Sequence, residues 1–329
     1  MKKSIGIASI LIAIIVATAI LSPNFLTAYN IENLLRRTAL FGILSVGVGF
    51  VILTAGIDLS IGGVVCLAGI LTPYLLTQMG WSPTETVAMI VLMSIAIGVL
   101  QGGLVAYGRI QPFLVTLCGL LMFRGIARGI TQDQTQGFQG QFQDLRWLGN
   151  GRISIPWVEH FAVPAPVLSL VIIAVLSMIF LNRTVWGRWM KALGRNPSAA
   201  LHSGIPVARL QVLAYAICSL LAGYGGLLFV CDVGSAQPSD FGNFYELYAI
   251  AAAVLGGYRL AGGEGSVIGV IIGAAVMQVL RNAITLVPWL PDTAEFAVIG
   301  IVILIGVLGD EFLRRYAASR VRTQTKGIS

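Results

Sequence analysis

The 329-residue chain is 57% hydrophobic and 11% charged, with a mean hydropathy of +0.86. Soluble domains carry roughly 25% charged residues, so a water-soluble fold is excluded, as are intrinsic disorder and, with only four cysteines, a disulfide scaffold. The formal charge of +7 comes without a basic stripe interleaved with aromatics, so it reads as the basic bias of membrane loops rather than a nucleic-acid footprint.

The class is an all-α polytopic membrane protein. A helix needs about 20 apolar residues to cross the hydrocarbon core. Uncharged runs predict ten spans, over about residues 5–21, 38–57, 61–78, 86–108, 110–130, 164–182, 210–231, 247–258, 265–280 and 296–309. The last three runs are short, which predicts charged ends or discontinuous helices. Met1-Lys2-Lys3 and Ala17-Thr18-Ala19 also fit a signal peptide, but the many spans that follow favour an uncleaved first helix. With the N-terminus inside, thirteen Lys and Arg fall on inside segments and four on outside ones, the rest lying near span ends. Both termini are therefore predicted to be cytoplasmic. No Pro- or Ser-rich linker divides residues 1–329, so they read as one membrane domain. Within it, residues 131–163 form a folded external cap, residues 194–205 hold a short cytoplasmic helix, and residues 311–329 form a basic cytoplasmic tail. The second span runs inward and the seventh outward, which suits an inverted repeat.

Four segments are candidates for carrying function. In Gly56-Ile57-Asp58-Leu59-Ser60-Ile61-Gly62-Gly63 a carboxylate sits in a glycine-rich break between spans. A charge at mid-bilayer costs ~2.5–3.5 kcal/mol, so Asp58 must lie near an interface, be paired, or face water. Asp58 or Ser60 can cap the third helix at the inner interface. Asp58 can equally shape a translocation path or hold a coupling ion. In residues 191–207, Asn196 before Pro197 signals a helix start and Gly204 a stop. The short helix between them lies on the inner surface, with Ala199 and Ala200 small enough for a partner to approach; His202 on it reads as an ordinary surface residue.

The third segment holds Ser235-Ala236-Gln237-Pro238 and then Tyr245-Glu246 at the outer mouth, where sugars stack and hydrogen-bond. An aromatic interface belt explains the tyrosines equally well. The fourth, Gly256-Gly257-Tyr258-Arg259-Leu260-Ala261-Gly262-Gly263-Glu264-Gly265, lacks the Lys-Ser/Thr ending of a phosphate loop, as does the whole chain. It reads as a tight turn with Arg259 and Glu264 placed to pair. No metal-ligand spacing and no nucleophile elbow is present, and Cys66, Cys118, Cys218 and Cys231 read as buried, inert thiols. The chain is expected not to be an enzyme, and ATP-driven work is expected in another chain.

These segments combine with Leu21-Ser22-Pro23-Asn24-Phe25-Leu26-Thr27, Gly108-Arg109-Ile110-Gln111-Pro112-Phe113 and Arg124-Gly125. Together they resemble, in order from about residue 21 to 310, the membrane subunit of ribose-type sugar ABC importers, a permease family that also serves xylose, arabinose, galactose and autoinducer-2 systems. The resemblance implies a cytoplasmic coupling helix that docks into the ATPase, here Gly194, Asn196, Ala199, Ala200, Ser203 and Gly204. From the residue types themselves, a path or gate is expected at Asp58, Ser60, Gln111, Gln237, Tyr245 and Glu246. The implied partners are a sugar ABC ATPase subunit, an external or periplasmic sugar-binding protein, a second permease copy (identical or paralogous) and the lipid bilayer, with no nucleic acid. No cofactor is implied on this chain; ATP and Mg belong to the ATPase. The implied location is the bacterial plasma (inner) membrane, and the alternative is an ion-coupled secondary transporter using Asp58. Three positions depart from the family pattern: Tyr248 stands where an acidic residue is common, Arg195 where Gly is common, and Leu201-His202 where Arg-Leu is common.

Overall fold

The computed structural model describes residues 2–154 and 161–286, with residues 297, 300, 301 and 304 helical beyond them. The chain opens with five helices, α1 (Lys2–Leu21), α2 (Ala28–Leu53), α3 (Ile61–Thr77), α4 (Pro83–Ala106) and α5 (Pro112–Thr131). Next come β1 (Gln136–Gly137), α6 (Gln143–Asn150), β2 (Arg152–Ser154) and β3 (Ala162–Pro164). The helix α7 (Ala165–Arg183) leads into two short ones, α8 (Val185–Arg195) and α9 (Pro197–His202), and then α10 (Val207–Val233). Finally, β4 (Ser235–Ala236), α11 (Tyr245–Leu255) and α12 (Val267–Leu286) follow.

Local chemistry sets these boundaries. Ser82 and Glu85 form a reciprocal capping box ahead of α4, with Pro83 in its first position. Pro112 opens α5. Among the described helices, α2, α4, α5, α7, α10 and α12 are long and apolar enough to cross a membrane, while the apolar part of α1, α3 and α11 are shorter. The tenth predicted span and the basic tail lie outside the described residues, apart from the four residues above. The second span starts at Ala28, ten residues earlier than predicted, because the charges that ended the apolar run have partners. Glu32 accepts a hydrogen bond from Ala162 N–H at 3.0 Å and pairs with Arg152 at 2.6 Å. Arg36 and Arg37 face Asp232 at 3.7 and 3.9 Å.

The antiparallel helices α2 and α10 form the centre, and they are the two most buried long spans. Glycines let neighbouring backbones close onto α10. Gly47 of α2 lies on Cys218 and Leu221, Gly98 and Gly102 of α4 on Tyr215 and Val212, and Gly226 itself receives Val65 of α3. At one end, here the cap end, β1 pairs with β4 and β2 with β3, while Gly149 of α6 sits against the last turn of α10. The described residues of 131–163 thus hold α6 and strands β1 to β3 at this end.

The opposite end carries α8 and α9. The helix α8 went unpredicted, although its amphipathic pattern is regular. Met190 and Leu193 are buried, Arg188 and Arg195 are exposed, and the rings of Trp186 and Trp189 meet edge-on at 5.9 Å. Partial burial and the neighbouring Arg195 draw the Lys191 ammonium below the ordinary lysine range, while it donates to Asn182 Oδ1 at 2.9 Å. The start of α1 is at this end too, since Ile7 lies by Gly257 in the α11–α12 turn.

Replacing Glu32 with alanine leaves the Ala162 N–H without its acceptor and Arg152 without its partner. This change is expected to raise amide hydrogen exchange in β2 and β3 while α2 and α10 stay protected. Unchanged exchange there would show that the strands hold the cap without Glu32.

Candidate functional site

The break between α2 and α3 does not sit at the end of the bundle. After Leu53 the chain turns back inward, and the Ile57 carbonyl accepts from Tyr215 Oη at 3.2 Å and Thr116 Oγ1 at 3.5 Å. Asp58 follows, 1% exposed. The Cys218 thiol faces its carboxylate, and Cys218 is the twelfth of the 27 residues of α10. Asp58 thus lies near mid-bundle and not at the inner interface, one of the settings open to it from the sequence. Its Oδ1 accepts from Ser60 N–H at 2.8 Å and Ser60 Oγ at 2.6 Å. Ser60 occupies the cap position of α3 but makes no side-chain cap bond, so Asp58 organises the helix start.

Glu246 lies in the first turn of α11 and is 6% exposed. A methyl group added to Gly62 would overlap Glu246 Oε2 and stand 2.6 Å from the Gly242 carbonyl oxygen. The Glu246 carboxylate therefore lies across the first turn of α3. From this meeting point α3 runs toward the cap end, where Cys66 and Gly69 pack on Pro238 and Phe241. The helix α11 runs the other way, toward the α8–α9 end. Two helix N-termini, each with unsatisfied N–H groups and positive potential, meet here with a carboxylate apiece. Arg124 of α5 donates to the Ser239 carbonyl at 3.2 Å, in the chain that leads to α11.

A groove of about 680 Å³ between α4 and α5 reaches this junction at Gln101 and Gly119. Its other walls are apolar, among them Ile97, Leu104, Leu114 and Met122. The Ser60 hydroxyl, closest to Asp58, has a single proton to donate. Ser60 Oγ also lies 3.0 Å from Gln101 Oε1, so its one proton is shared between the two acceptors. The far end of the Gln101 amide lies over Gly119, where an added methyl would overlap it, and makes no hydrogen bond among the described residues. Glu246 Oε2 is likewise buried without a hydrogen bond among them.

Of the predicted path residues, Asp58, Ser60 and Glu246 come together. The others do not. Gln111 is exposed at the start of α5, and Gln237 is exposed in the cap-end loop after β4. The Tyr245 ring packs on Phe41 and Phe229 at 4.9 and 4.8 Å, so it belongs to an aromatic cluster and not to an open sugar platform. Tyr248 joins that cluster beneath the Arg281 guanidinium, 4.6 Å from its ring. Gln101, Cys218, Gly62 and Gly119 were missed. An amide inside the uncharged run 86–108 was the legible signal for Gln101. Cys118 is corrected as well, since it is exposed on α5.

The α9 surface matches its predicted start and stop. Asn196 Oδ1 accepts from Ala199 N–H at 3.0 Å, with Pro197 next. At the other end Gly204 N–H bonds to the Leu201 carbonyl and Ile205 N–H to the Ala200 carbonyl, at 3.0 and 3.1 Å, with Gly204 at φ +76°. These are the paired bonds of a Schellman stop. Ala199, Leu201, His202 and Ser203 are exposed, Leu201 by 62%; Ala200 is buried. Gly194 is also buried, against the end of α2.

A family model described as branched-chain amino acid transport system / permease component matches residues 30–307. The chain belongs to this permease family. The permease is 38% identical to the ribose import permease protein of Escherichia coli, over 91% of its own length and 92% of that protein. It is 35% identical to the ribose import permease protein of Bacillus subtilis, over 91% and 90% of the two chains. It is 32% identical to the xylose transport system permease protein of Escherichia coli, over 94% and 91%. No solved structure matches it. The permease is a multi-pass membrane transport component and not an enzyme.

Replacing Asp58 with alanine removes the acceptor of two buried donors on Ser60. It is expected to destabilise the permease by about 1–3 kcal/mol, read as a lower unfolding temperature in detergent, with Asp58→Asn losing less. Equal losses would show that the retained acceptor oxygen does not hold the break.

Proposed function

We propose that this chain is the membrane-spanning subunit of an ATP-binding cassette importer that carries a monosaccharide, ribose or a close relative of it, across the bacterial plasma membrane. The observation that carries this reading is α9. It is a helix fixed by side-chain and backbone caps at both ends, presenting Leu201 and small residues outward, in a chain similar to import permeases for ribose and xylose. A bare connector between two spans needs none of this. In this reading α9 docks into the ATPase subunit, which binds ATP and Mg and does the hydrolysis. The α8–α9 end, with both chain termini, is cytoplasmic; Trp186, Trp189 and the α8 cations support that side as the inner interface. The cap end then faces an external sugar-binding protein.

The mid-bundle junction favours an uncharged polyol. Helix N-termini attract anions, but Asp58 and Glu246 already occupy both. The free end of the Gln101 amide and Glu246 Oε2 offer hydrogen bonds to hydroxyl groups. The long helices α2 and α10, each leading to a short helix that starts mid-bundle, support the inverted repeat and the discontinuous spans. A second copy fits along α5, the least buried long span. Gly125 and Gly129 have four-residue spacing and nothing within 4 Å of either, in the cap-end half of α5. Two copies meeting there leave their α4–α5 grooves facing each other around one path.

Three measurements test this. Leu201→Asp is expected to abolish capture of the co-expressed ATPase subunit and uptake of labelled ribose or xylose, with the unfolding temperature unchanged. A valine at 204 cannot hold φ +76° without strain and is expected to uncouple ATP hydrolysis from uptake. Retained capture and uptake in these variants would remove the docking role. Cys118, the exposed native thiol on α5, is expected to give cross-linked dimers with a short bis-maleimide in membranes, and Cys118→Ser none; monomers throughout would place the second copy elsewhere. Ion-driven uptake by the purified chain alone would instead identify a secondary transporter.

A further inference from the structure

The glycine-rich turn between α11 and α12 has no role in the function proposed above, yet it is packed more tightly than a connector requires. Its Tyr258 is buried, with the ring set between Gly49 of α2 and Gly265, each placed so that an added methyl would lie within 3.0 Å of ring atoms. Gly263 N–H donates to the Leu53 carbonyl, the last residue of α2, at 2.9 Å. A methyl on Gly263 would stand 2.5 Å from Arg195 Cγ and 2.7 Å from Arg195 N. One on Gly262 would stand 2.8 Å from Ala55 Cβ and 2.9 Å from Gly194 Cα. One on Gly194 would overlap both the Leu53 carbonyl oxygen and Gly263 N. Three backbones therefore meet, with only Ala55 Cβ and the stem of Arg195 beside them: the end of α2, the end of α8, and the α11–α12 turn.

The positions of these segments along the chain give the junction its meaning. Gly194 is two residues before Asn196, the cap of α9. Leu53 is five residues before Asp58. The turn is the continuation of α11, whose other end carries Glu246. We infer that the Leu53–Gly194–Gly263 junction is a rigid linkage through which displacement of α9 moves the starts of α3 and α11 together, and with them Asp58 and Glu246. This rests on α9 being the ATPase-docking helix. Close-packed backbones joined by a hydrogen bond transmit displacement because they have no soft side chain to absorb it. Gly194, Gly262 and Gly263 are thus positioning residues, and Gly194 acts inside the permease and not at the ATPase surface.

The test uses the full permease with its ATPase subunit, reconstituted into vesicles. Gly263→Ala is expected to keep ATPase capture but lose ribose and xylose uptake, leaving ATP hydrolysis that no longer responds to sugar. Amide exchange at Gly263, whose N–H is held by the Leu53 carbonyl, is expected to be equally slow in the resting and the ATP-bound transporter. Wild-type uptake in Gly263→Ala would overturn the linkage. Exchange at Gly263 that becomes fast on ATP binding would also overturn it, because the junction would then have to open. If Gly263→Ala fails to fold, the exchange measurement on the unaltered permease decides alone. Failure of the docking reading is distinguishable, because there Leu201→Asp keeps the ATPase bound.

Discussion

A bilayer offers no water to hydrogen-bond a broken backbone, so irregular chain at membrane depth survives only where protein satisfies it. Two such stretches, 54–60 and 234–244, enter the middle of this bundle, and much of the remaining structure answers to them. Tyr215 and Thr116 hold the Ile57 carbonyl, Asp58 holds Ser60, and Arg124 holds the Ser239 carbonyl. The glycines at 62, 119 and 242 are the other half of this solution. They let two helix starts and a groove wall approach until the polar groups reach one another.

This arrangement accounts for the placement of acid inside an apolar protein. A lone buried carboxylate is costly. One at a helix N-terminus, receiving an N–H and a hydroxyl, is partly compensated. Asp58 is such a group; Glu246 shares the helix-start position on α11, but its Oε2 is buried without a hydrogen bond among the described residues. Because the two helices leave the junction in opposite directions, the same centre is tied to both ends of the molecule. At the cap end the ties are Pro238 and Phe241; at the other they are Leu53, Gly194 and Gly263. A transport subunit needs such ties if an event at one surface is to change what a site at mid-bundle does.

Tyr248, Arg195 and the Leu201-His202 pair sit in three different settings. Tyr248 packs in the Phe41 and Tyr245 cluster under Arg281. Arg195 is exposed, with its backbone and Cγ pressed against Gly263. Leu201 and His202 are outward-facing on α9, where a change of side chain does not touch the core.

Much of this was legible in the sequence because it depends on neighbours in the chain. Apolar runs located nine described helices, Asn196-Pro197 and Gly204 bounded α9, and Gly56 to Gly63 marked a break. The sequence could not place that break at mid-bundle, since its depth is set by Tyr215, Cys218 and Gln101 from helices far away in the chain. It began the second span too late, because the partners of Glu32, Arg36 and Arg37 come from residues 152, 162 and 232. It grouped Gln111, Gln237 and Tyr245 with Asp58 by residue type, whereas packing sends them to the surface or into an aromatic cluster. Periodicity and capping are local and can be read from order alone. Which polar groups meet inside the bundle is decided by how closely glycine-bearing helices approach, and only the tertiary structure determines that.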